Sequence, residues 1–116
     1  ATNTTLERKG LHSKYRNQAG GLSGKPLFDI STRILAQMAK LLDGKIPLIG
    51  VGGISSAKDA YDKICAGASA VQLYTALIYN GMSLPSHISR ELDSLLEHNG
   101  HSKISQAVGS KIERWL

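Results

Sequence analysis

Cys65 is the only cysteine among the 116 residues, which excludes an internal disulfide and fits a reducing compartment. It lies within Ala60–Gly67 beside apolar residues, and reads as a small buried thiol rather than a nucleophile. Aromatic residues make up 5% of the chain. Of the basic residues Arg8, Lys9, Lys14 and Arg16, with Lys25 further on, only Tyr15 is interleaved, so a nucleic-acid surface with stacking rings has little to build on. The net charge of +5 reads instead as a solvated loop that attracts an anionic ligand, with no nucleic-acid partner. No stretch approaches the ~20 apolar residues of a membrane span, and no signal-peptide pattern is visible. His12, His87, His98 and His101 have no ligand spacing, so no metal is expected. Neither a Ser/His/Asp arrangement nor a paired acid and base can be assembled.

Two short apolar runs carry the fold. Ile46-Pro47-Leu48-Ile49-Gly50-Val51 and Ala70-Val71-Gln72-Leu73-Tyr74 have the β-branched character of strands buried on both faces of a parallel sheet. Two such strands cannot close a sheet and would leave long unpaired edges. A complete (β/α)8 barrel needs about 250 residues. Ala1-Thr2-Asn3-Thr4-Thr5 has the look of a strand end without its beginning. The chain is therefore expected to be α/β, the carboxyl-terminal part of a (β/α)8 barrel, with about strands 6–8 and their helices. It forms one portion of a single barrel domain, incomplete by itself.

Helical spacing places a first helix from Leu27 or Ser31 to Asp43, with Ile30, Ile34, Leu35, Met38, Leu41 and Leu42 inward and Arg33 and Lys40 in water. Gly44 stands where a left-handed cap is wanted. Ser55 or Ser56 is expected to cap a helix from Ala57 to Ala66, terminated by Gly67. A helical turn follows Thr75, then a longer helix opened by Ser83 and Pro85 and carrying Ile88, Leu92, Leu95 and Leu96. Ser102–Val108 makes a last short helix, and Ile112, Trp115 and Leu116 an apolar tail.

The chemistry gathers at the strand ends. Gly52-Gly53 follows one strand and precedes a helix, so backbone N–H groups can meet a phosphate oxygen with no Cβ in the way. The plain alternative is a tight βα turn. Thr75, just past the neighbouring strand, adds a hydroxyl and a helix-start N–H. Carboxyl ends of adjacent barrel strands are where phosphate is held in that fold. Gly24, in Gly21-Leu22-Ser23-Gly24, allows the chain to lie against a flat ring or a phosphate, or merely makes the loop pliable. Asn3 offers both a donor and an acceptor to a substrate with amide or carboxylate groups, although Thr2, Asn3 and Thr4 are also ordinary turn formers.

Asn3-Thr4-Thr5, Gly20-Gly21-Leu22-Ser23-Gly24-Lys25-Pro26-Leu27, Ile49-Gly50-Val51-Gly52-Gly53-Ile54 and Ala66-Gly67-Ala68-Ser69-Ala70-Val71-Gln72-Leu73-Tyr74-Thr75 occur in this order. Together they resemble the carboxyl-terminal part of dihydroorotate dehydrogenase, and class 2, the quinone-dependent enzymes, is the better match. The resemblance implies an FMN-containing barrel that oxidises dihydroorotate to orotate in pyrimidine synthesis and hands electrons to a quinone. It implies FMN contacts at Thr2, Gly24, Gly53, Tyr74 and Thr75, and pyrimidine contacts at Asn3 and Thr4. It also implies a serine base upstream of this stretch, leaving no catalytic residue here. Partners are then substrate, quinone and the remainder of the barrel. Amino-terminal helices outside this stretch would give peripheral contact with an inner membrane, bacterial or mitochondrial. The competing readings are a class 1 dihydroorotate dehydrogenase, a dihydrouridine synthase, or a non-catalytic half-barrel that binds a phosphorylated ligand.

Overall fold

The computed structural model describes residues 2–116. Ala1, the first residue of the expected strand end, lies outside them. After an irregular amino-terminal segment, a 3-10 turn at Lys25–Leu27 leads into α1, Phe28–Leu42. Then come β1 (Ile49–Val51), α2 (Ala57–Cys65), β2 (Ala70–Gln72) and α3 (Thr75–Asn80). The chain continues with α4 (Leu84–His98) and α5 (Ile104–Ala107), and a 3-10 turn at Ile112–Trp115 completes it. The alternation of strand and helix follows the expected order. β1 and β2 are parallel, with Ile49 opposite Ala70, Gly50 opposite Val71 and Val51 opposite Gln72. This is a partial barrel, as expected.

Both strands are shorter than their apolar runs. Pro47, which cannot donate to a ladder, lies ahead of β1. The strands are also buried on one face only, which departs from the expectation. Gly50 is buried and Val71 half-buried beneath the helices, whereas Ile49, Val51, Ala70 and Gln72 are exposed. Period-2 alternation sends these four residues to the opposite face, and no described element covers them. Ile49 is 61% exposed and Val51 38%.

The core lies between the sheet and the helices. Ile54, Ala57, Ala60, Ala76, Leu84 and Ile88 form one cluster. Tyr61, Ile64, Cys65, Leu92, Leu96 and Ala107 form a second, between α2, α4 and α5. Cys65 is fully buried there, as its setting suggested. Ile112 and Trp115 pack against a third cluster of Leu35, Ala36, Ala66 and Ala68. The Trp115 ring meets Phe28 edge-on at 5.9 Å.

Ser56 is the cap of α2, its Oγ accepting from the Asp59 N–H at 3.1 Å. The Asp59 carboxylate answers by accepting from both the N–H and the hydroxyl of Ser55 at 3.0 Å. The two serines that compete as caps thus share one carboxylate, a variation on the reciprocal capping box. At the end of α1, Asp43 occupies the left-handed cap (φ 48°), one residue before the expected glycine. The buried face of α1 is Ser31, Thr32, Leu35 and Ala36, while Ile30 and Leu41 are exposed. The helix is therefore rotated from the phase its largest apolar residues suggest. Thr32 tolerates burial because its hydroxyl donates to the Phe28 carbonyl one turn back, and Ser31 because its hydroxyl has the carbonyls of Phe28 and Gly52 both at 3.2 Å.

Candidate functional site

At the carboxyl ends of β1 and β2 the chain surrounds a cleft of about 690 Å³. Gly52 and Gly53 follow β1, and Leu73, Tyr74 and Thr75 follow the paired strand β2, so both strand ends open on this cleft. The seven residues named from sequence, Thr2, Asn3, Thr4, Gly24, Gly53, Tyr74 and Thr75, all line this one space. They arrive from three directions: the amino-terminal segment, the loop before α1, and the two strand ends.

An antiparallel bridge joins the first two. Thr5 and Leu22 exchange backbone hydrogen bonds of 3.0 and 2.7 Å. Residues 2–5 therefore join no parallel strand among the described residues, and pair instead with the glycine loop. The bridge sets Thr4 directly over Gly21, where a Cβ would fall 1.8 Å from the threonine Oγ1. Asn3 turns its Oδ1 onto the Thr4 N–H at 2.8 Å, so its acceptor is engaged locally. Arg8 donates to the carbonyls of Thr5, at 3.0 Å, and Gly20, at 2.5 Å. One member of the basic cluster thus stitches the loop together rather than waiting for a ligand.

The glycine loop in turn reaches the end of β2. Gly24 has φ 86° and ψ −152°, a region open essentially to glycine alone, and a Cβ there would stand 3.1 Å from Thr75 Cγ2. The hydroxyl of Thr75 donates to Ser23 Oγ at 3.1 Å. Ser23 joins the site through this bond, which the spacing of the sequence did not show. Tyr74 is 77% exposed at the rim.

Gly52 and Gly53 have φ values of 101° and 76°, so both require glycine-like backbone freedom. A Cβ on Gly53 would lie 2.6 Å from the Phe28 nitrogen, at the start of α1. Close packing against α1 is thus one reason for glycine here, and the plain turn reading holds in part. The same contact brings the positive end of a 15-residue helix to the side of the turn. The turn, the helix start and the Thr75 hydroxyl make a polar corner whose partial positive charge suits an anion.

Behind the turn is a residue that sequence reasoning passed over. Lys63, on α2, is completely buried. Its Nζ donates to Ser31 Oγ at 2.5 Å and to the carbonyls of Phe28 and Val51, each at 3.4 Å. It also lies 4.9 Å from the centre of the Phe28 ring. Burial pushes its pKa down from 10.5 to about 8, against the opposing pull of Asp59 and Asp29. A weak signal was present: Lys63 falls three residues after Ala60, on the inward stripe of α2.

Comparison with known proteins agrees with this architecture. Residues 1–96 match the family model described as dihydroorotate dehydrogenase. The dihydroorotate dehydrogenase (quinone) of Cereibacter sphaeroides strain KD131 is 55% identical over 116 residues, all of this chain and 33% of that protein. The mitochondrial dihydroorotate dehydrogenase (quinone) of Mus musculus is 50% identical over 109 residues, 93% of this chain and 28% of that protein. A crystal structure of ligand-free DHODH from Eimeria tenella superposes with a TM-score of 0.90 at 40% identity, covering 94% of this chain and 31% of that one. The chain thus spans about a third of the length of the relatives it matches. The conjunction of sequence match, barrel segment and strand-end cleft identifies the chain as a member of the dihydroorotate dehydrogenase family.

Proposed function

We propose that residues 1–116 form the carboxyl-terminal portion of an FMN-containing (β/α)8 barrel. That barrel oxidises dihydroorotate to orotate in pyrimidine biosynthesis and delivers the electrons to a quinone. The observation that carries this reading is the single cleft shared by Thr2–Thr4, Gly24, Gly53, Tyr74 and Thr75. The quinone-dependent names of relatives at 55% and 50% identity favour that class over the other flavin barrels. Those relatives include bacterial and mitochondrial proteins, and peripheral attachment to an inner membrane follows from the quinone assignment. No described helix is long and apolar enough to cross a membrane.

In this reading the bare sheet face, with Ile49 and Val51 exposed, is the interior of the barrel and is covered by its remaining strands. The Gly53 turn and Thr75 hold the flavin phosphate through backbone N–H groups, and the Thr75 hydroxyl turns from Ser23 to donate its one proton to the anion. Thr2 and Gly24 lie along the flavin, and the Gly24 backbone approaches closely because it carries no side chain. Asn3 and Thr4 orient the pyrimidine. With its Oδ1 held by the Thr4 N–H, Asn3 presents its amide N–H groups to a carbonyl or carboxylate oxygen. Bound FMN supplies the hydride acceptor and the relay to quinone. Residues 1–116 contribute positioning and exclusion of water, while the proton-abstracting base belongs to another part of the barrel.

Replacing Thr75 by Glu in the complete barrel tests the site. A carboxylate opposite the phosphate repels it and removes the hydroxyl donor. The expected result is purified enzyme depleted of FMN, with its circular dichroism unchanged. Undiminished flavin content would remove the phosphate from this corner.

A further inference from the structure

We propose that Lys63 is a positioning residue for the flavin phosphate, holding the Gly52–Gly53 turn from behind so that its N–H groups face the anion. The inference rests on the FMN reading above and goes beyond it, because Lys63 does not line the cleft.

The argument begins with donor counting. An ammonium has three N–H donors and no lone pair, and Lys63 Nζ has three acceptors, Ser31 Oγ and the carbonyls of Phe28 and Val51. Toward Lys63 the Ser31 hydroxyl can therefore only accept. Its own proton goes to a carbonyl, and both Phe28 O and Gly52 O stand 3.2 Å away. The Phe28 carbonyl already accepts from the Thr32 hydroxyl at 2.5 Å and from Lys63, which fills its two lone pairs and directs the Ser31 proton to Gly52.

That bond orients a peptide plane. No cis peptide occurs among the described residues. In a trans unit the C=O of one residue and the N–H of the next point in opposite directions. With the Gly52 carbonyl held by Ser31, the Gly53 N–H points away from the Lys63–Ser31 pair. The same geometry applied to the Val51 carbonyl turns the Gly52 N–H away from Lys63. Two successive N–H groups presented together form an anion-binding concavity. Glycine, with few conformational restraints of its own, needs such an external hold. The buried cation adds an attraction for the phosphate that water screens little.

A merely structural lysine and a phosphate-positioning lysine differ in which ligand their loss affects. In the complete barrel stripped of flavin, dissociation constants for FMN and for riboflavin, which has no phosphate, are measured by quenching of flavin fluorescence. Wild type is expected to prefer FMN strongly. Lys63→Met should reduce that preference about tenfold, raising the FMN constant while leaving the riboflavin constant within about twofold. Ser31→Ala removes one oxygen from the same chain of bonds and should reduce the preference about threefold. It carries the test if the methionine variant does not fold. An undiminished preference, or equal weakening of both ligands, overturns the role of Lys63. Wild type that binds FMN and riboflavin alike overturns the phosphate site itself, and this inference with it.

Discussion

The backbone nitrogen of Phe28 stands 2.6 Å from the point where a side chain on Gly53 would begin. The start of α1 and the turn after β1 are thus packed backbone against backbone at the proposed phosphate corner. No rotamer change can relieve an added methyl group there.

Gly53→Ala is therefore expected to destabilise by two effects. A left-handed conformation costs a residue with a Cβ about 1–2 kcal/mol, and the clash with Phe28 adds more. Gly100 separates them, since its φ of 77° is nearly that of Gly53 at 76°, yet nothing lies within 4 Å of its absent Cβ. Gly100→Ala should lose only the conformational part. Urea midpoints should place Gly53→Ala at least about 1 kcal/mol below Gly100→Ala, with lost flavin only in the former. Equal destabilisation would mean that α1 yields to the methyl group.

Lys63 makes stability depend on pH in a stated direction. Its folded pKa, held by burial at about 8, lies below the value of 10.5 expected when unfolded. Between these limits the unfolded chain carries a proton that the folded chain has released, so stability rises as pH increases through this window. The gain by pH 9.5 should be about 2 kcal/mol, read as a rise in urea midpoint from pH 7.5. In Lys63→Met the rise should be absent. Above pH 10 the trend weakens, because burial raises the Tyr61 hydroxyl to about 12, so the fold resists its ionisation. A wild-type curve flat from 7.5 to 9.5 would show that Lys63 reaches water.

The uncovered sheet face gives a third expectation. Ile49 and Val51 stand side by side with Ala70 and Gln72 on a face that no described element touches. Expressed alone, residues 1–116 should bind a hydrophobic dye and self-associate. Ile49→Thr with Val51→Thr should reduce both, and a polypeptide that completes the barrel should suppress them. A monomeric chain that does not bind the dye would mean that this face needs no cover.

Several features were legible along the chain because local physics decides them. The Ser-Ser-Ala start of α2 reads as a cap since a serine oxygen satisfies an orphan N–H wherever the helix sits. Thr75 opening a helical turn, the alternation of strand and helix, and the burial of Cys65 follow from equally short-range patterns. The strand limits did not: a ladder extends only as far as both partners pair, and each apolar run exceeds the three paired residues on its strand. The phase of α1 was also hidden: Ile30 and Leu41 belong inside by their apolarity, yet the Thr32 hydroxyl bonds within its own helix and the Ser31 hydroxyl meets Gly52 and Lys63, which allows that face to turn inward.

By itself, then, the sequence determined the order of elements, the glycine and hydroxyl residues at the strand ends, and the family, since all of these are carried by neighbouring residues and short motifs. Only the tertiary structure decided that Ser23 bonds Thr75 across 52 positions, that Gly53 abuts Phe28, and that Lys63 is buried behind the turn. These contacts join segments far apart in the chain. A lysine shows no sign of burial until three acceptors from α1 and β1 converge on its ammonium, and that convergence exists only once the layers have packed.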